Sequence, residues 1–147
     1  AQAYARLQAG MRAYYGRGAR GILLRIGARF WEPLLSDASP LLKAGFVLIR
    51  TLPRPLRRKP ALDWLARLLS IQPEAVTAYT QDLDLLLVDR VSPAASGQSA
   101  SGPICFVTVG LIRETLYRSD GGEYDVEESA CRAAGATECR FKITVGG

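Results

Sequence analysis

The sequence predicts an α+β fold, on three observations. Apolar residues recur at helical spacing through the first half, the period falls to two after Pro73, and the chain ends in one long apolar helix followed by a strand, a turn and a strand. The expected architecture is amino-terminal helices packed with an antiparallel sheet and a central helix, all in one domain over 1–147.

Tyr4, Leu7, Met11 and Tyr14 define the first helix by their spacing. Gly16, Gly18 and Gly21 follow, and because no Gly-Lys-Ser/Thr ending accompanies them they read as a helix-to-helix turn and not a phosphate loop. Ile22, Ile26 and Phe30 mark a second helix, which Pro33 and the SDASP segment are expected to close. A third fits Leu41 to Leu52, with Ser39 as N-cap and Pro40 in the first turn.

Arg54, Arg57, Arg58 and Lys59 then form the densest basic cluster, in LPRPLRRKP. Its prolines predict a solvated loop between helices, and phosphate or anionic lipid is the alternative partner for such charge. A fourth helix fits Ala61 to Ile71, where Leu62, Leu65 and Leu69 adjoin a second stripe of Trp64 and Leu68. Stripes this wide imply burial on more than one side, for which core packing is the first reading and a homodimer interface in addition the second.

Val76 to Thr80 and Leu83 to Val91 read as strands joined at Gln81 and Asp82. The LLLV run predicts a second strand covered on both faces, with Asp84 and Asp89 as charges at its ends. Ser92 to Gly102 is small and polar, which predicts a flexible loop. Pro103 then opens a helix from about Ile104 to Arg118, apolar almost all round and therefore central.

The chemistry concentrates between Cys105 and Val145, which hold all three cysteines. Alternation places Tyr124, Val126 and Glu128 on one strand face, and Cys139, Phe141, Ile143 and Val145 on one face after the RAAGATE turn. An inward Glu128 needs a partner, which a metal would supply. Cys105, in the first turn of a helix, should be biased toward thiolate by the helix dipole. Three thiolates and a carboxylate from Cys105, Glu128, Cys131 and Cys139 suit a closed tetrahedral zinc site of structural type, with Arg113, Arg132 or Arg140 near enough to balance its charge. Two other readings stay open: the cysteines as small buried apolar residues, or a Cys131–Cys139 disulfide.

The cysteine before an apolar helix, followed by VEESACRAAGATECRFKI, resembles the 4-vinyl reductase domain family, which includes hydrocarbon-binding proteins and the sensor domains of phenol-responsive activators. In those sensors a cysteine, a Glu-x-x-Cys and a cysteine eight positions on hold zinc, and Cys105, Glu128, Cys131 and Cys139 match that spacing. The resemblance implies a fold similar to that of transport-complex subunits and a small hydrophobic or aromatic ligand. Trp31, Phe46, Trp64, Tyr79 and Phe106, with Phe30, are the aromatic residues available to line its pocket. The family's phenol sensors hold the hydroxyl with a histidine, and this sequence has none, which favours a less polar or lipid-like ligand.

Without histidine no ordinary nucleophile, base and orienter can be assembled, and no Gly-x-Gly-x-x-Gly follows a strand, so no catalytic residue is assigned. A non-catalytic sensor or binding domain is therefore expected. An accessory or carrier protein in tetrapyrrole synthesis and an interaction module without ligand are the alternatives. The net charge of +5 comes without a zinc-finger or RNA-binding motif, so direct nucleic-acid binding is not expected. No apolar run approaches the roughly 20 residues of a membrane span, and the first residues do not resemble a signal peptide, which leads us to expect a cytoplasmic protein.

Overall fold

The computed structural model describes residues 2–145. Five helices and four strands run in the order α1 (Gln2–Tyr15), α2 (Ala19–Asp37), α3 (Pro40–Thr51), α4 (Arg54–Leu69), β1 (Val76–Gln81), β2 (Asp84–Asp89), α5 (Phe106–Asp120), β3 (Asp125–Ala130) and β4 (Cys139–Thr144). The α+β architecture matches the reading of the sequence. Among the described residues no helix is long and apolar enough to cross a membrane.

The four strands form one antiparallel sheet in the order β1-β2-β4-β3, so the final hairpin adds to the first through β4. Leu85 pairs with Ile143, Leu87 with Phe141 and Asp89 with Cys139. The alternation predicted for β3 and β4 is present, with Val126, Glu128, Cys139, Phe141 and Ile143 buried. β2 is covered by helices on one face only. Its outward Leu86 is half-buried beside Arg140 and Lys142, which are exposed, and outward Val88 is shielded in a shallow groove by Tyr79, Arg90 and Arg140.

Helix α5 is central, as its all-round apolar surface predicts. Val109, Leu111, Ile112 and Leu116 are buried with Leu62 and Leu65 of α4 and with Leu87, Phe141 and Ile143 of the sheet. Each such side chain contributes about 1.5–3 kcal/mol by leaving water. On its other side α5 meets α2 at backbone contact. A Cβ on Gly110 would lie 2.0 Å from the Leu24 carbonyl oxygen, and one on Gly27 2.0 Å from that of Val107. Glycine is required at both positions.

Pro33 does not close α2. It lies within the helix, which runs on to Asp37. Pro33 and Arg29 are both exposed, so the carbonyl that loses its amide partner can be hydrated. The basic LPRPLRRKP segment is likewise helix and not loop. Pro55 falls in the first turn of α4, where its missing N–H costs nothing, and Pro60 frees a carbonyl at exposed Leu56.

Two arginines of that segment fasten α4 to the end of α5. Arg57 donates to the Leu52 carbonyl at 2.5 Å and to the Ser119 carbonyl at 3.1 Å, while Arg58 donates to the Tyr124 hydroxyl at 2.6 Å beside Asp120. Burial first, and then the hydrogen bond to Asp120, pushes the Tyr124 phenol up to about 12. Tyr124 is a neutral donor there.

The 92–102 segment is packed and not a free loop. Ser92, Ala94 and Ala95 are buried, the Ala100 amide donates to the Ala133 carbonyl at 2.8 Å, and Arg12 donates to Gln98 at 3.1 Å. Small side chains let this backbone lie close against the core.

Candidate metal centre and adjoining cavity

Cys105 is the N-cap of α5, which begins at Phe106, so Pro103 and Ile104 precede the helix instead of opening it. The Cys105 amide donates to Glu128 Oε2 at 2.8 Å. One carboxylate oxygen thus fixes the start of α5 to β3. Glu128 Oε1 is buried without a partner, an arrangement that favours a cation.

The Glu-x-x-Cys spacing needs a local break in the strand. Residues three apart on a regular strand face opposite ways, but the register shifts between Glu128 and Ala130, so Ser129 is absorbed as an irregularity against β4. Both Glu128 and Cys131 therefore point inward. After Cys131 a single 3-10 turn over Arg132–Ala134 ends at Gly135, whose φ of 97° is left-handed, and the chain re-enters the sheet at Cys139.

The result is a buried cluster. One ligand atom from each of Cys105, Glu128, Cys131 and Cys139 lies within 4.8 Å of all the others. Cys105 Sγ is 3.7 Å from Cys139 Sγ, and all three cysteines are free thiols, which removes the disulfide reading. Three sulfurs and one carboxylate oxygen in a buried, closed set fit a tetrahedral metal site, and the orphaned Glu128 Oε1 supports the fit independently.

The electrostatics differ in one respect from expectation. Its place at a helix start does not make Cys105 a thiolate: its bond to Cys139, burial and the nearby Glu128 push its thiol up. Cys139 goes the other way, down to about 7, because it accepts from Cys105 and from the Arg132 amide at 3.4 Å. Burial first raises Cys131. A set like this releases protons on taking up a cation.

The arginines expected to balance the cluster are occupied elsewhere. Arg113 pairs with Asp125 at 3.6 Å, Arg140 with Glu138 at 2.8 Å, and the Arg132 guanidinium donates to the Val91 carbonyl. Among the described residues the cluster is approached by backbone amides instead.

Beside it lies a cavity of about 320 Å³ between α2, α5, the end of α4 and the chain after β2. Phe30, Leu34, Leu69, Val107 and Leu111 give it an apolar wall. Tyr4, Asp89 and Thr108 are its polar side chains. Asp89 Oδ1 accepts the amides of Val91 at 3.0 Å and Ser92 at 2.7 Å, while Oδ2 accepts no hydrogen bond among the described residues. Burial raises the Asp89 carboxyl despite those amides, and burial pushes the Tyr4 phenol up to about 12. Ser92 links the two features, since its hydroxyl lies 3.5 Å from Cys105 Sγ.

Of the aromatic residues read from the sequence, Phe30 lines this cavity. Trp31, Phe46 and Trp64 pack in a row in the core, with Phe46 between the two indoles at ring-centroid distances of 5.3 and 4.7 Å and steep interplanar angles. Tyr79 stands on the outer face of the sheet, hydrogen-bonded to Arg90 at 2.9 Å, and Phe106 lines a separate groove with Arg20 and Glu128. Large aromatics filled gaps between helices, and aliphatic residues were left to surround the space. Asp89 had no distinguishing mark beyond its place at the end of an apolar strand.

These features define a helix-and-sheet domain with a candidate metal centre beside an apolar cavity. Residues 90–145 match the model of the 4-vinyl reductase domain, a stretch that contains all four cluster residues, so the family resemblance read from the cysteine motif is shown there. Among solved structures, the phenol-responsive sensory domain of the transcription activator PoxR, determined with phenol, has the same fold. Its TM-score is 0.61 at 14% identity, over 95% of this chain and 73% of that one. None of the curated proteins matches the sequence.

Proposed function

We propose that this chain is a zinc-stabilised, non-catalytic domain that binds one small, mainly apolar molecule in the cavity beside α5. The single observation that carries the reading is the apolar space of about 320 Å³, which shares the Asp89–Ser92–Cys105 connection with the metal-binding cluster. Three cysteines and a carboxylate favour zinc, held by Cys105, Glu128, Cys131 and Cys139, and in such a closed set zinc acts as a cross-link between α5 and the β3–β4 hairpin. The phenol-bound PoxR domain supports a sensor role by its fold.

The volume lies at the lower end of the roughly 300–1,000 Å³ typical of ligand pockets. It suits a substituted benzene or a short branched chain better than a tetrapyrrole. Asp89 Oδ2 offers an acceptor at the wall, so the preferred compound carries one donor, a hydroxyl or an amine, on an apolar body. The absence of histidine leaves this carboxylate, Tyr4 and Thr108 as the polar choices.

Thermal unfolding against a panel of small alcohols, phenols, amines and matched carboxylic acids tests the reading. Donor-bearing compounds should raise the midpoint in proportion to the logarithm of concentration, and acids should not. A panel without any effect would contradict ligand binding.

A further inference from the structure

Helix α3 turns Phe46 into the core and presents to solvent a ridge of large apolar side chains. Leu41 is 83% exposed, Val47 64% and Leu48 65%, and the ridge continues through Leu52 and Leu56 at 61% into the start of α4. Residues 38–62 hold Lys43, Arg50, Arg54, Arg57, Arg58 and Lys59 and no aspartate or glutamate. Arg57, Arg58 and Lys59 are engaged with neighbouring groups, whereas Lys43, Arg50 and Arg54 are exposed and make no ion pair among the described residues. The outer face of the sheet, by contrast, mixes both signs, as at Arg90–Glu138, Arg140–Glu138 and Lys142–Asp84.

We propose that α3 and the first turn of α4 form a peripheral membrane-docking surface, with the Leu41–Val47–Leu48–Leu56 ridge entering the headgroup boundary of an anionic bilayer and Lys43, Arg50 and Arg54 meeting its phosphates. An apolar helical face bordered by cations, without acidic residues, has the composition that adsorbs to anionic lipid, and each basic residue near the surface adds to the attraction. Charge complementarity disfavours a second copy as the occupant. A two-fold contact through this face would set the same unpaired cations against one another.

Sedimentation of the intact protein with sucrose-loaded vesicles tests it. Vesicles of phosphatidylcholine and phosphatidylserine in equal parts should bind it at least about tenfold more strongly than phosphatidylcholine alone, and added salt should release it. Leu48→Asp should weaken binding by about tenfold or more while leaving thermal stability near that of the parent, because the side chain is exposed. Lys43→Glu with Arg50→Glu should weaken it at least as much. The same change of charge made by Arg140→Glu with Lys142→Glu, on the outer face of the sheet, should weaken it far less.

Failure to bind anionic vesicles overturns the proposal. Equal losses from the helix and sheet variants also overturn it, since net charge alone would then explain binding. So does a dimer in light scattering that Leu48→Asp splits without altering vesicle binding, because the ridge would then be a contact between copies.

Discussion

Glu128 shows how much one side chain does in this protein. Its Oε2 caps α5 through the Cys105 amide, and its Oε1 is left without a partner beside three sulfurs. Removing a ligand should therefore affect both metal and fold. Cys139→Ala or Cys131→Ala is expected to lose bound metal and more than about 4 kcal/mol of stability, the range associated with loss of a metal or collapse of a core. Metal analysis beside denaturant unfolding checks it. Glu128→Gln keeps an acceptor for the amide and should be milder. Asp89→Asn retains an oxygen for the Val91 and Ser92 amides but can replace the free acceptor with a donor, so it should reverse the preference between alcohols and matched acids in a binding titration, with metal content unchanged. Glu128 and Cys139 were legible from strand parity and Cys105 from its place before the apolar helix, whereas Cys131 was legible only through the Glu-x-x-Cys spacing of the resembled family. The bulge at Ser129 that makes the spacing work was not, since nothing in a serine marks a register shift. Asp89 was likewise opaque, because its role depends on the space that other elements leave around it.

At the scale of elements, the closest contact is between α2 and α5, where glycine replaces a side chain on both helices. Gly110→Ala or Gly27→Ala would place a methyl group 2.0 Å from a backbone carbonyl oxygen, a clash that no rotamer can relieve. Each should cost about 3 kcal/mol or more, at the upper end of overpacking in cores, and open the wall of the cavity formed by Leu34, Val107 and Leu111. Unfolding curves of the two variants check this. Helix periodicity located α2 and α5 well, but a glycine at a helix contact looks in sequence like a weak helix former. The prolines misled for a related reason: Pro33 and Pro60 argue for breaks, yet each is tolerated where the freed carbonyl can meet water. In the middle of the sheet, Asp84 ties β2 to the end of β4. The Val145 amide first, and then Lys142, hold its carboxyl below the ordinary value. Its stabilising effect is therefore fully present above about pH 4 and lost as pH falls through the depressed folded value. Asp84→Asn should be less stable than the parent at neutral pH, with the two unfolding midpoints converging in strong acid.

The whole molecule is a sheet with α5 and α4 on one face, α2 behind α5, and a small apolar space between α2, α5 and the chain that leaves β2. The α+β class and the position of the central helix followed from periodicity alone. The cavity did not, because an empty volume is the difference between packed surfaces and leaves no pattern of its own. Ser92 connects that volume to the cluster through Asp89 on one side and Cys105 on the other, so ligand and metal should stabilise each other. Zinc-stabilised ligand binding is tested most directly by native mass spectrometry of the freshly purified protein, with the denatured chain weighed from the same sample. One zinc per chain with a small apolar molecule retained, or accepted on addition of a donor-bearing aromatic, is the predicted result. A metal-free chain that takes up none of these compounds would contradict both zinc stabilisation and ligand binding.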